Sequence, residues 1–155
     1  MRDQMQVSQW LSFARDDLLI ARHAFEDIHP KQIFIACYHC QQAAEKALKA
    51  YLISKNTTFE RTHDLVVLQG QCLDFEEGFD DLLADCSILT PYVTQARYPN
   101  TEEITEPETA SALHRAERIV NYCASLITPA SPIDTSAKKT VDDYPIAIAF
   151  SPKRP

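Results

Sequence analysis

Glycine is nearly missing: Gly70 and Gly78 are the two among 155 residues. Tight turns with positive φ are where glycine serves best, so a β-sandwich or barrel with many hairpins is a poor fit. The same shortage removes the Gly-x-Gly-x-x-Gly fingerprint, the Gly-Lys-Ser/Thr phosphate loop and the Gly-x-Ser-x-Gly elbow. Classical nucleotide folds and hydrolases are thereby excluded as the whole domain. No apolar run approaches the roughly 18 residues that would cross a bilayer. The start, Met1-Arg2-Asp3-Gln4, has no apolar signal core. Five cysteines, an odd number, form no secreted-type framework. A soluble, cytoplasmic protein with reduced thiols is expected.

Positive charge is also scarce. A net charge of −7 argues against a surface that attracts nucleic acid everywhere, although a local basic patch is compatible with it. Carboxylates crowd at Asp74, Glu76, Glu77, Asp80, Asp81 and Asp85, then at Glu102, Glu103, Glu106 and Glu108. Neither cluster has the spacing of a calcium loop, so both read as solvated faces and helix-start carboxylates.

What is present is helical periodicity. Trp10, Ala14, Leu18, Ala21, Phe25 and Ile28 recur at three- and four-residue steps and predict a helix from about Asp3 to Asp27. Pro30 suits the first turn of a second helix, reaching to Ser54. There Ile33, Cys37, Cys40, Ala44, Ala47 and Tyr51 form a seam whose small members let backbones approach. A polar loop over 55–62 ends at Thr62, an expected N-cap for a third helix with Leu65, Leu68, Cys72 and Phe75 inside. A fourth helix is expected from Phe79 to Thr90, reset by Pro91, and an irregular stretch from Tyr92 to Thr105. The last long helix follows Thr105-Glu106-Pro107 and runs to about Ile127, with Leu113, Ala116, Val120, Cys123 and Ile127 inward. Residues 1–127 thus read as one all-α, up-and-down bundle of four to five helices. Five of the nine prolines lie beyond Thr128, so 128–155 reads as a Pro-containing tail with one short apolar run, Ile146 to Phe150.

Chemistry is sparse. Cys37 and Cys40 have redox-like or zinc-like spacing, but Cys72, Cys86 and Cys123 each stand alone on an apolar helical face. Core packing is the better reading, and no metal or cofactor is implied. The repeated Glu-x-x-His pairs on inner helical faces that a di-iron bundle needs are not found; His114 and Glu117 occur in the reverse order. Two polar clusters remain. His63, at a helix start within Arg61-Thr62-His63-Asp64-Leu65, can contact a phosphate or move a proton. Arg97 offers a planar fork and Tyr98 a stacking ring, within Gln95-Ala96-Arg97-Tyr98-Pro99. The bland alternative is that His63 and Asp64 cap a helix and Arg97 pairs with a carboxylate.

Taken together, four segments resemble the HEPN domain family. They are Trp10 with Ala14, Asp17 and Ala21; Ala36 to Leu52, with Tyr38 and Gln41-Gln42-Ala43-Ala44-Glu45-Lys46-Ala47-Leu48-Lys49-Ala50; Thr62-His63-Asp64-Leu65; and Ala96-Arg97-Tyr98-Pro99. The resemblance covers about residues 7–127. It implies a helical bundle, a homodimer and association with minimal nucleotidyltransferases. Some relatives are ribonuclease toxins of toxin–antitoxin pairs, and others bind nucleotides or partner proteins without cutting. The ribonuclease branch uses Arg, four to six residues, then His, near the start of a late helix. Here positions 102–104 are Glu, Glu and Ile, Arg115 and Arg118 have no following His, and the spacing match, Arg22 with His29, lies at the end of the first helix. The expectation is a non-catalytic homodimer that binds a nucleotide, RNA or a nucleotidyltransferase partner through His63, Arg97 and Tyr98. Two alternatives are a divergent ribonuclease acting through His63 and Arg97, and an assembly adaptor acting through the tail.

Overall fold

Ala14, Ala21, Ala36, Ala43, Ala44, Ala47 and Ala50 are fully buried, and these small side chains let the first two helices pack closely. The computed structural model describes residues 2–95, 98 and 102–127. Within them α1 spans Arg2–Glu26, α2 Ile33–Ser54, α3 Leu65–Leu73, α4 Leu83–Leu89, α5 Tyr92–Gln95 and α6 Glu106–Ile127, with a 3-10 segment Glu77–Leu82 leading into α4. No strand occurs among the described residues, and the all-α bundle is of the expected class. None of these helices is long and apolar enough to cross a membrane.

The centre of the bundle is α2, which touches α1, α3, α4, α5 and α6. α1 and α2 are antiparallel: Gln32 N donates to Ala24 O where the chain turns, and Lys46 Nζ reaches back to Asp17. α6 runs parallel to α2, since Cys37 meets Thr109 at one end. At the other end Phe79 links Tyr51 and Tyr122, with ring centroids 4.7 and 5.0 Å apart.

The inward faces largely match the expected periodicity, with instructive departures. On α1 the buried stripe is Val7, Leu11, Ala14, Asp17, Ala21 and Ala24, while Ile28 is exposed. Trp10 therefore sits at the edge of the interface rather than at its centre. Pro30 stays in the turn, and α2 begins only after Gln32. Thr62 is not the N-cap of α3; Asp64 is, accepting from Val66 N at 2.9 Å. Thr62 Oγ1 instead accepts from Asp64 N at 3.0 Å, supporting the cap from one residue further back. Phe75, expected inside, is 48% exposed just beyond the end of α3. The single fourth helix is replaced by the 3-10 segment and α4. At the start of α6, Thr105 caps as expected: its Oγ1 accepts from Glu108 N, and Glu108 Oε2 accepts from Thr105 N at 2.7 Å. All five cysteines are buried free thiols. Burial pushes Cys37, Cys40, Cys72, Cys86 and Cys123 up, Cys86 to about 12, as packing residues rather than nucleophiles. The tail 128–155 lies outside the described residues.

Candidate functional site

Two carboxylates on the α1–α2 hairpin are buried, and each holds one imidazole and one ammonium. Asp17, 5% exposed, faces α2 and accepts from Lys46 Nζ at 2.5 Å, with His39 Nδ1 at 2.7 Å. Glu45, 4% exposed, accepts from Lys49 Nζ at 2.7 Å, from Gln41 Nε2 at 3.1 Å and from His63 Nδ1 at 2.9 Å. Burial alone would raise the Glu45 carboxyl. The bonds from Lys49, His63 and Gln41 outweigh it and hold the group below its ordinary range.

Local sequence explains how the second cluster is assembled. Glu45 and Lys49 are four apart on one helical face. Gln41 Nε2 also donates to His63 O at 3.0 Å, so one amide ties the loop backbone to the helix that holds Glu45. The Asp64 cap starts α3, and Leu65 N donates to Thr90 Oγ1 at 3.1 Å, anchoring the same corner to the end of α4. With Nδ1 directed at Glu45, the His63 ring is 61% exposed and its Nε2 is left for solvent or a ligand.

Lys49 connects this cluster to a hollow of about 550 Å³ lined by Gln6, Trp10, Ile53, Asn56, Thr57, Thr58, Phe59 and Arg61. The Lys49 ammonium lies 5.0 Å from the Phe59 ring and 5.9 Å from that of Trp10. The two rings meet edge to face, centroids 5.9 Å apart. Asn56, with φ 54, takes the left-handed conformation that asparagine tolerates and turns the chain out of α2 toward the hollow. The result is an aromatic wall, hydroxyl and amide groups above it, and the Arg61 guanidinium on the loop that leads to His63. Such a surface can stack a planar ring and hold one anionic group.

Of the residues expected at the site, His63 is placed where a ligand can reach it. Tyr98 is 61% exposed between α5 and α6, and Arg97 lies outside the described residues, so their meeting with His63 is not described. Arg22, which has ribonuclease spacing to His29, is engaged by Glu117 on α6, and His29 lies in the turn after α1. Sequence reasoning missed Glu45 as the partner of His63, and it read Trp10 as core. The Glu45–Lys49 spacing was visible, whereas the link from Glu45 to His63 crosses a loop and leaves no local pattern. Among the described residues no three His, Cys, Asp or Glu side chains are arranged to hold a metal ion.

Fold and site together define an all-α bundle domain with a polar, aromatic-edged corner where α1, α2 and the loop before α3 meet. The family model described as the HEPN domain matches residues 7–126, and the chain belongs to that family. Solved structures agree. TT1696 from Thermus thermophilus is 25% identical with a TM-score of 0.65, over 77% of this chain and 97% of that one. ST0689, an archaeal HEPN homologue, is 27% identical with a TM-score of 0.64, over 79% of this chain and 98% of that one. No curated protein matches the chain.

Proposed function

We propose that this HEPN chain is a non-catalytic homodimeric module that binds a single nucleotide, free or at an RNA end, in the hollow beside His63. One observation carries the reading: Trp10, Phe59 and Arg61 line the same hollow, next to a buried carboxylate that orients an exposed imidazole. A base stacks on the aromatic wall, the sugar meets the hydroxyls of Thr57 and Thr58, and a phosphate meets Arg61. The hollow's volume suits one nucleotide. Arg61 is the one cation lining the hollow among the described residues, and with the net charge of −7 this disfavours a long polyanion threaded through it.

Cleavage is not part of the proposal. The ribonuclease branch of the family cuts with an Arg followed four to six residues on by a His, and in this sequence that spacing falls at Arg22 and His29 alone. Arg22, the cation at ribonuclease spacing, is already engaged by Glu117. A homodimer is supported by the outward apolar side chains Phe13 and Ile20 of α1 with Phe34 and Ile35 of α2, all more than 40% exposed. A nucleotidyltransferase is the partner class that the family affiliation suggests. The test is a nucleotide-dependent thermal shift run beside sedimentation analysis. A dimer whose melting temperature rises with added ribonucleotide is expected, and a monomer with no shift overturns the proposal. A purified protein that cuts a mixed RNA pool, and stops on His63→Ala or Arg97→Ala, establishes the divergent ribonuclease instead.

A further inference from the structure

On a protein of net charge −7, the one carboxylate of α6 between residues 111 and 125 is Glu117, at the flank of the helix's outward stripe and turned to Arg22 of α1. Ser111, His114, Arg118, Asn121 and Ser125 face solvent there, with Arg115 beside them, half-buried. Beneath the stripe lies Asp85 of α4, 1% exposed. Its Oδ1 accepts from Arg115 Nη1 at 2.6 Å, and its Oδ2 is 3.3 Å from Arg118 Nη1 in an ion pair. Arg115 is fixed a second time, by Nε donating to Ser111 Oγ at 3.1 Å.

Two guanidiniums thus share one buried carboxylate, so the pair carries one more positive charge than Asp85 neutralises, while Glu117 next to them is engaged by Arg22. The Asp85 carboxylate cannot be reached from outside, so its role is to hold the two forks in place. Each guanidinium has five N–H donors. Arg115 uses two and Arg118 turns one edge to Asp85, so several donors of each stay available, and the Arg118 side chain is 47% exposed. Two guanidiniums held side by side match the tetrahedral oxygens of a phosphate, and fixing them beforehand lowers the ordering cost of binding.

We propose that Arg115 and Arg118 form an anion site on the outer face of α6 that takes a phosphate group, carried by a small phosphate compound or by an RNA chain. Asp85 is its positioning residue. The site is separate from the hollow at Trp10 and does not depend on a nucleotide binding there.

Two probes distinguish the sources: inorganic pyrophosphate, read by thermal shift, and a dye-labelled twelve-nucleotide single-stranded RNA, read by anisotropy across a salt series. Arg118→Ala is the main variant, because Arg115 continues to neutralise Asp85 and the fold is kept, as circular dichroism checks. Arg15→Glu, which changes an exposed charge on α1, controls for net charge. At least one probe binds the wild type. With Arg118→Ala that binding falls about tenfold, as expected for a lost charge-assisted contact. If RNA is the ligand, the salt slope also drops by about 0.7, one single-strand phosphate contact. Arg15→Glu keeps most of the binding. Pyrophosphate alone binding identifies a small phosphate compound, and RNA binding with the reduced slope identifies a chain. The proposal is overturned if neither probe binds, if Arg118→Ala binds as wild type does, or if Arg15→Glu loses as much.

Discussion

Replacing Glu45 with alanine tests the centre of the polar corner. The substitution removes the partner of Lys49, whose side chain is 9% exposed, from a distance of 2.7 Å, and it frees Gln41 and His63 as well. Breaking a buried ion pair by deleting one member costs about 3–5 kcal/mol, because the remaining charge stays buried. The rings of Phe59 and Trp10 lie 5.0 and 5.9 Å from the ammonium and offset about 1 kcal/mol of this. A net loss of about 3 kcal/mol is expected, which lowers the melting temperature by about 9 °C for a domain of this size. The assay is thermal unfolding followed by circular dichroism at pH 7, with Glu45→Gln, Lys49→Met and the Glu45→Gln, Lys49→Met pair alongside. The pair melts well above Glu45→Ala, since no unmatched charge is left inside. The depressed carboxyl also sets a pH dependence. A folded-state value below the unfolded one gives stability that is full above the ordinary glutamate value of about 4.3 and is lost as pH falls through the folded value. The wild type should therefore lose its margin over Glu45→Gln on acidification below that point and hold it from pH 6 to 7. Melting of Glu45→Ala within 2 °C of wild type would refute the assignment of Glu45 as a buried charge partner.

Further expectations concern other parts of the bundle. Asp64→Ala removes the acceptor for Val66 N and should cost about 1 kcal/mol in urea unfolding, as lost N-caps do; an unchanged midpoint contradicts the cap. Gly78→Ala places a Cβ against the Tyr122 hydroxyl, so the melting temperature should fall as Tyr122 is pushed off Phe79, and an unchanged value means the ring moves freely aside. The five thiols, all buried and raised by burial, should react with a thiol reagent at pH 8 only at the rate of unfolding, and rapid labelling of the native protein contradicts their burial.

The helices were legible in the sequence because the bundle is built on small and apolar residues at strict helical spacing, above all Cys37, Cys40, Ala44, Ala47 and Tyr51. Boundaries were less so. Pro30 is compatible with a first helical turn and with a loop, and the stereochemistry of proline alone does not choose between them. Trp10 marks a place where periodicity misleads: it lies on the helical stripe, yet the tighter line of Val7, Leu11 and Ala14 takes the core, and the large ring is left at the edge of the hollow. His63 could be singled out because Thr-His-Asp-Leu is a local helix-start pattern. Its tie to Glu45, eighteen residues back, depends on how loop 55–64 returns along α2, and no local spacing encodes that. The Asp85–Arg115 contact spans thirty residues and was hidden for the same reason.

The most direct measurement follows the fluorescence of Trp10, the single tryptophan of the chain, while ribonucleoside monophosphates are titrated into the 155-residue protein. Trp10 lies in the wall of the hollow, so a stacking base must change its emission. The account predicts saturable quenching by at least one nucleotide, weakened by Arg61→Ala and by removal of the phosphate. Emission that stays constant with all four nucleotides up to millimolar concentration contradicts nucleotide binding in the hollow.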